Sequence, residues 1–272
     1  MPGFLKQKIK FSTIQKSNQT TVLRKLSTFI TLFGKFMKYM NLIAFLAMVA
    51  MNYLANALPV NGKTTGQFSD LYPNLFTPAA ITFSIWGVIY FLVLVFVVVQ
   101  LKADNQKLVS AIGWAFVFSS ALNALWIFAW HYEQTGLSVL IMLGLLASLI
   151  FINNRLSGMP FSITKLAFGI YLGWICIATI ANITALLVSL GWTGCGIAPE
   201  SWTIMLIAVG AVITIFTMHR LQNPYLAFAV IWAFAGIIIK RHTDFQTIAI
   251  AAVLGIAVVG VVASLMLFKK TA

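Results

Sequence analysis

Charged residues are so sparse along the chain that polar positions serve mainly as punctuation between long apolar runs. Reading from one break to the next gives spans at Tyr39–Leu58, Ala79–Leu101, Leu108–Trp130, Gly136–Ile152, Leu166–Leu190, Trp202–Met218, Tyr225–Ile239 and Thr247–Phe268. A helix needs about 20 apolar residues to cross the hydrocarbon layer. Most of the runs meet that length; Gly136–Ile152 and Trp202–Met218 sit at its lower edge, and Tyr225–Ile239 falls short. Backbone amides find no water in lipid, so such runs form helices or a closed barrel. Unbroken apolarity lacks the alternation of a barrel strand. The pattern predicts an all-α, polytopic membrane helix bundle of about eight transmembrane helices.

Composition agrees. Of 272 residues 61% are hydrophobic and 8% charged, against roughly a quarter charged in soluble domains. The formal charge of +13 would suit a nucleic-acid binder, but its placement argues against one. Eight of the eighteen basic residues (Lys6, Lys8, Lys10, Lys16, Arg24, Lys25, Lys35 and Lys38) precede Tyr39, and the rest decorate the breaks. With eight spans and the N-terminus inside, fifteen basic residues lie inside and three (Lys63, Lys240, Arg241) outside. That bias orients the chain with its N-terminus cytoplasmic. If Tyr225–Ile239 does not cross, Lys240 and Arg241 exchange sides with Lys269 and Lys270 and the score is unchanged. Charge therefore does not choose between seven spans and eight.

Residues 1–38 form a basic N-terminal extension rich in Ser and Thr, with apolar Phe29, Ile30, Phe33 and Met37. Three readings stand: an interfacial amphipathic helix, a transit peptide, or a start of translation at Met37 or Met40. Cys176 lies mid-span and Cys195 in a loop, which provides no disulfide framework. Neither has the neighbours of a metal site, and no phosphate loop, HExxH or Gly-x-Ser-x-Gly motif is present.

The acids and His131, His219 and His242 sit at span ends or in loops. A proton relay or an axial haem ligand needs such groups at membrane depth, so both are disfavoured. The informative residues are aromatic or polar without charge. Thr82, Trp86 and Tyr90 share one helical face, as do Asn123, Trp126 and Trp130, and Trp174, Ala178 and Asn182. Asn52 and Asn56 lie on the first span. Flat surface beside amides suits an apolar ligand with a few polar groups. The same residues serve equally as interhelical hydrogen-bond glue, worth about 0.6–2 kcal/mol each. Trp130, Trp192 and Trp202, near span ends, read as membrane-interface belt residues.

Three stretches resemble the tryptophan-rich sensory protein family (TspO/MBR), also called translocator proteins or peripheral-type benzodiazepine receptors. They are Tyr72-Pro-Asn-Leu-Phe-Thr-Pro78 leading into Phe83-Ser-Ile-Trp86 and Tyr90; Ala121-Leu-Asn123-Ala-Leu-Trp126; and Tyr171-Leu-Gly-Trp174-Ile-Cys-Ile-Ala178-Thr179-Ile-Ala-Asn182. They occur in the family's order over about Tyr39 to Leu190. Where the family has Pro-Pro-Gly-Trp, this chain reads Pro78-Ala-Ala-Ile81, and one aromatic wall is missing. The Gly-Pro before the second Trp is absent as well.

The resemblance implies a five-helix translocator-like core at 39–190, with additional C-terminal helices at 191–272. It also implies a pocket for a hydrophobic planar molecule of the tetrapyrrole (porphyrin) or sterol class. Trp86, Tyr90, Trp126 and Trp174 would wall it, with Ala178 beside them; Asn123 and Asn182 would be polar contacts or struts. The expected role is sensor or carrier, with a small-solute permease using the extra spans as the alternative. No catalytic residue, metal ligand or cofactor is assigned, since no nucleophile–base pair is visible. Expected partners are the small molecule, the lipid bilayer and, as a homodimer, a second copy; nucleic acid is not among them. The expected location is a bacterial cytoplasmic membrane.

Overall fold

The computed structural model describes residues 2–58, 60–102 and 106–268, with side chains for 23–29, 31–58, 61–102 and 108–268. Asp104, Lys269, Lys270 and the side chains of Lys6, Lys8, Lys10 and Lys16, which entered the charge count, lie outside that description.

The described residues form α1 (Pro2–Ala57), α2 (Thr65–Asp70), α3 (Ile85–Gln100), α4 (Gln106–Ile112), α5 (Trp114–His131), α6 (Thr135–Leu156), α7 (Ile163–Ser189), α8 (Pro199–Leu221), α9 (Leu226–Arg241) and α10 (Gln246–Phe268). Among the described residues, six segments are long and apolar enough to cross a membrane: Leu23–Ala57, Ala80–Gln100, Thr135–Leu156, Ile163–Ser189, Pro199–Leu221 and Gln246–Phe268. The third and seventh apolar runs are not among them. The third is broken at Gly113, whose φ of 51° divides α4 from α5. The seventh gives α9, whose 16 residues extend only about 24 Å at the helical rise.

Even so, α9 runs from one face of the bundle to the other. Just before it, Asn223 donates Nδ2 to Asn153 Oδ1 (2.8 Å) at the end of α6 and to the Lys165 carbonyl (2.9 Å) at the start of α7. At its far end Arg241 donates to the carbonyls of Asn74 (2.7 Å) and Leu75 (3.2 Å), in the loop after α2. The loops at 61–79, 190–198 and 242–245 thus share one face, here the loop face. The ends of α3, α6 and α10 share the opposite one. These bonds place the two ends of α9 at opposite faces of the bundle.

At the centre stands α7, packed on α3, α6, α8 and α9. Small residues let α9 approach it: a Cβ on Gly173 would strike the Leu226 backbone, and one on Gly169 would meet the Asn223 amide at 2.8 Å. Close approach through small residues is how membrane helices gain dispersion contact without a hydrophobic drive. Near the opposite face Phe96, Phe116 and Phe168 meet edge to face at 5.1–5.9 Å and fill the space between α3, α5 and α7.

Leu23, Leu26, Phe29, Leu32 and Phe33 of α1 are exposed. Burial begins in earnest at Met37 and Lys38. Lys38 donates Nζ to the Lys102 carbonyl (2.8 Å), capping the end of α3, and Asn41 bonds Gln100 Oε1 (2.8 Å) beside it. A cation on a helix C-terminus is favourable there.

Candidate ligand site

The aromatic faces of α3, α5 and α7 converge beneath the loop face. Trp86 is the hub: its ring lies 5.5 Å from Tyr90 (stacked), 6.4 Å from Trp126, 5.9 Å from Tyr171 and 6.1 Å from Trp174. Trp126 in turn stacks on Trp130 at 5.7 Å, and Phe83 meets Trp174 edge-on at 6.0 Å. Offset and edge-on ring contacts of this kind add to the gain from burial.

Amides hold the rings. Asn182 accepts the Trp126 indole N–H on Oδ1 (2.8 Å) and donates Nδ2 to Ser138 Oγ (2.7 Å), tying α5, α6 and α7 together. Asn123 accepts from Asn52 Nδ2 (2.7 Å) and donates to the Tyr171 hydroxyl (2.8 Å), tying α1, α5 and α7. Both amides therefore act as struts. Trp174 Nε1 and Thr82 Oγ1, by contrast, are buried with no hydrogen-bond partner among the described residues. Buried polar atoms are nearly always paired, so these two have hydrogen-bonding capacity left for a water or a bound molecule.

A roof closes the site from the loop face. Thr64 and Gln67 form a capping box that starts α2. Thr65 Oγ1 sits 3.1 Å from His131 Nε2, and its carbonyl accepts the Trp130 indole N–H (3.2 Å). Asn74 Oδ1 accepts from Thr77 N (2.8 Å), bracing the turn before Pro78. Burial, with the Glu133 carboxylate nearby, holds the Tyr72 phenol above its ordinary pKa. Burial likewise lowers the Arg241 guanidinium where it grips this roof, opposed in part by Asp244 and Asp70.

Of the residues singled out in the sequence, Trp86, Trp126, Trp174, Ala178 and Asn182 line one cavity, whose volume is about 40 Å³. Tyr90 and Asn123 stand behind that lining. About 40 Å³ admits little more than a water molecule, so the rings largely fill their own cage. Thr65, Ser69, Thr77, Pro78, Phe83 and Trp130 also line it. Trp130, read as a belt residue, is interior because the roof covers its span end. The C-terminal helices also reach the site: Trp232 of α9 donates its indole N–H to the Thr82 carbonyl (2.8 Å) and the Gly236 carbonyl accepts from Ala79 N (3.0 Å).

The architecture defines a polytopic, all-helical membrane protein whose helices converge on an aromatic cage. The chain belongs to the TSPO-like protein family, whose model it matches over residues 38–265. That match reaches past 39–190 and takes in α8, α9 and most of α10. No curated protein and no solved structure matches the chain.

Proposed function

We propose that the protein binds a hydrophobic planar molecule of the tetrapyrrole or sterol class in the cage between α3, α5 and α7, as a sensor or carrier and without catalysis. The observation that carries this reading is Trp174 Nε1, a buried donor without a partner, in the lining of an aromatic cage. A planar ligand with one polar group would satisfy that donor while stacking on the indoles. Family membership supports the same assignment.

Ligand pockets usually measure about 300–1,000 Å³, so binding requires the cage to open. The roof at 61–79 is the part to move, because hydrogen bonds rather than a helix ladder hold residues 71–79 in place. The hydroxyl–imidazole pair of Thr65 and His131 serves in this reading as a tether between roof and α5.

Intrinsic tryptophan fluorescence titrated with protoporphyrin, haem and a sterol tests the proposal. Saturable quenching is expected with at least one of them. Strictly linear, non-saturating quenching by all three would remove the reading.

A further inference from the structure

Two further cavities meet at residues 73–75 and Pro199, and they differ in chemistry. One, of about 520 Å³, lies at membrane depth between α7 and α8. Ile180, Ile183, Leu206, Val209 and Ile213 line it, and the exposure of Ile183, Val209 and Ile213 leaves its flank open toward lipid. Three of its threonines spend their donors on helix backbone: Thr179, Thr184 and Thr203 donate to the carbonyls of Ile175 (2.7 Å), Ile180 (2.9 Å) and Pro199 (2.8 Å). At the loop-face end Trp192 and Trp202 meet edge-on at 5.0 Å, and Trp202 donates its indole N–H to the Gly194 carbonyl (2.9 Å). Indoles favour the level of the headgroups.

The second cavity, of about 630 Å³, carries Asp70, Glu200, Lys240 and Arg241, two charges of each sign. Lys240 and Asp70 are paired at 3.3 Å with side chains 30% and 62% exposed. So open a pair is weakly held and exchanges partners readily. Arg241 spends Nε and Nη2 on the roof carbonyls, which leaves Nη1 available beyond those bonds.

We propose that the two cavities together bind one phospholipid with a primary-ammonium zwitterionic headgroup, of the phosphatidylethanolamine class. An acyl chain fills the apolar groove, the phosphate takes Lys240 and Arg241, and the ammonium takes Asp70 and Glu200. The charges select this headgroup. A net anionic lipid would set uncompensated charge against Asp70 and Glu200, and a sterol would engage none of these charges, which otherwise hold one another, the roof carbonyls and the Thr247 hydroxyl. A quaternary ammonium cannot donate hydrogen bonds to the carboxylates. The site adjoins the aromatic cage, with Ser69 and Thr77 lining both cavities, but does not rest on the cage's ligand.

The test is lipid analysis of the full chain purified from membranes in mild detergent, with native mass spectrometry to count bound lipids. One retained phosphatidylethanolamine per chain is expected, enriched over phosphatidylglycerol relative to the membrane. Leu206→Trp fills the groove, and Ile183→Phe does so with a smaller change should the first variant not fold. Both should lower retention by roughly tenfold, as loss of a buried apolar contact would. Lys240→Gln should cut the headgroup preference by roughly threefold while the chain stays folded. Retained lipid that mirrors the bulk membrane, enrichment of an anionic lipid, or full retention in a folded groove variant would each overturn the proposal.

Discussion

The indole N–H of Trp232 donates to the Thr82 carbonyl at 2.8 Å, joining α9 to the 3₁₀ turn Ala80–Ser84 that leads into α3. Three residues on from Thr82, α3 begins, so the orientation of Trp86 depends on a helix more than 140 residues later in the chain.

That joint has little room. A Cβ on Gly236 would strike Thr82 Oγ1 and lie 2.9 Å from Pro78 Cβ. Gly236→Ala should therefore destabilise the protein by about 1–3 kcal/mol, the usual cost of overpacking. Thr82→Ala in the same chain should restore part of it. Thermal unfolding in detergent, read for both single variants and the double variant, checks this; additive effects would mean the two residues do not meet.

Trp174→Phe separates a packing role from a binding role. The substitution removes a buried donor that has no partner and keeps a ring in the cage. An unsatisfied donor costs about 1–3 kcal/mol, which offsets the lost apolar area, so the melting temperature should hold or rise. Ligand affinity should still fall by about fivefold, the worth of one hydrogen bond of about 1 kcal/mol. Unchanged affinity would leave the indole N–H without a part in binding.

Asn182→Leu should lower stability by about 1–2 kcal/mol in the bilayer or micelle, because it strands the Trp126 indole, bonded to it at 2.8 Å. In Trp126→Phe that bond is already gone, and the same substitution should cost less. A double-mutant cycle with thermal unfolding as readout gives the coupling. A coupling near zero would count against the strut assignment.

A chain truncated after Leu190 should not give a monodisperse bundle on size-exclusion chromatography. The structure shows α9 seated on Gly169 and Gly173 of α7, and Asn153 Oδ1 paired with Asn223 at 2.8 Å. Truncation bares both. A monodisperse, ligand-binding 1–190 fragment would refute this.

Reporter fusions after Leu190 and after Arg241 should report the same side, and a fusion at the C-terminus the opposite one. The motive is the path of α9 from Asn223 to Arg241 across the bundle. From the basic bias, the C-terminal reporter is expected on the cytoplasmic side. Opposite signals after Leu190 and after Arg241 would mean that α9 does not cross, and equal signals after Arg241 and at the C-terminus that α10 does not.

Membrane residence and helical class were legible in one dimension, since both depend on run length and on where charge interrupts it. The convergence of Trp86, Trp126 and Trp174 was legible too, because helical spacing puts aromatic and amide groups on faces that lipid disfavours. Tertiary contact alone decided the rest. Trp130 turned inward because Thr65, distant in sequence, supplies its acceptor at 3.2 Å. The crossing of α9 was undecidable from a 16-residue helix; Asn223 and Arg241 fix its two ends through partners 70 and 167 residues away. The size of the cage had no signature in the sequence at all. Free volume is what remains after rings settle into their rotamers against one another, and here Trp86, Trp126 and Trp174 leave about 40 Å³.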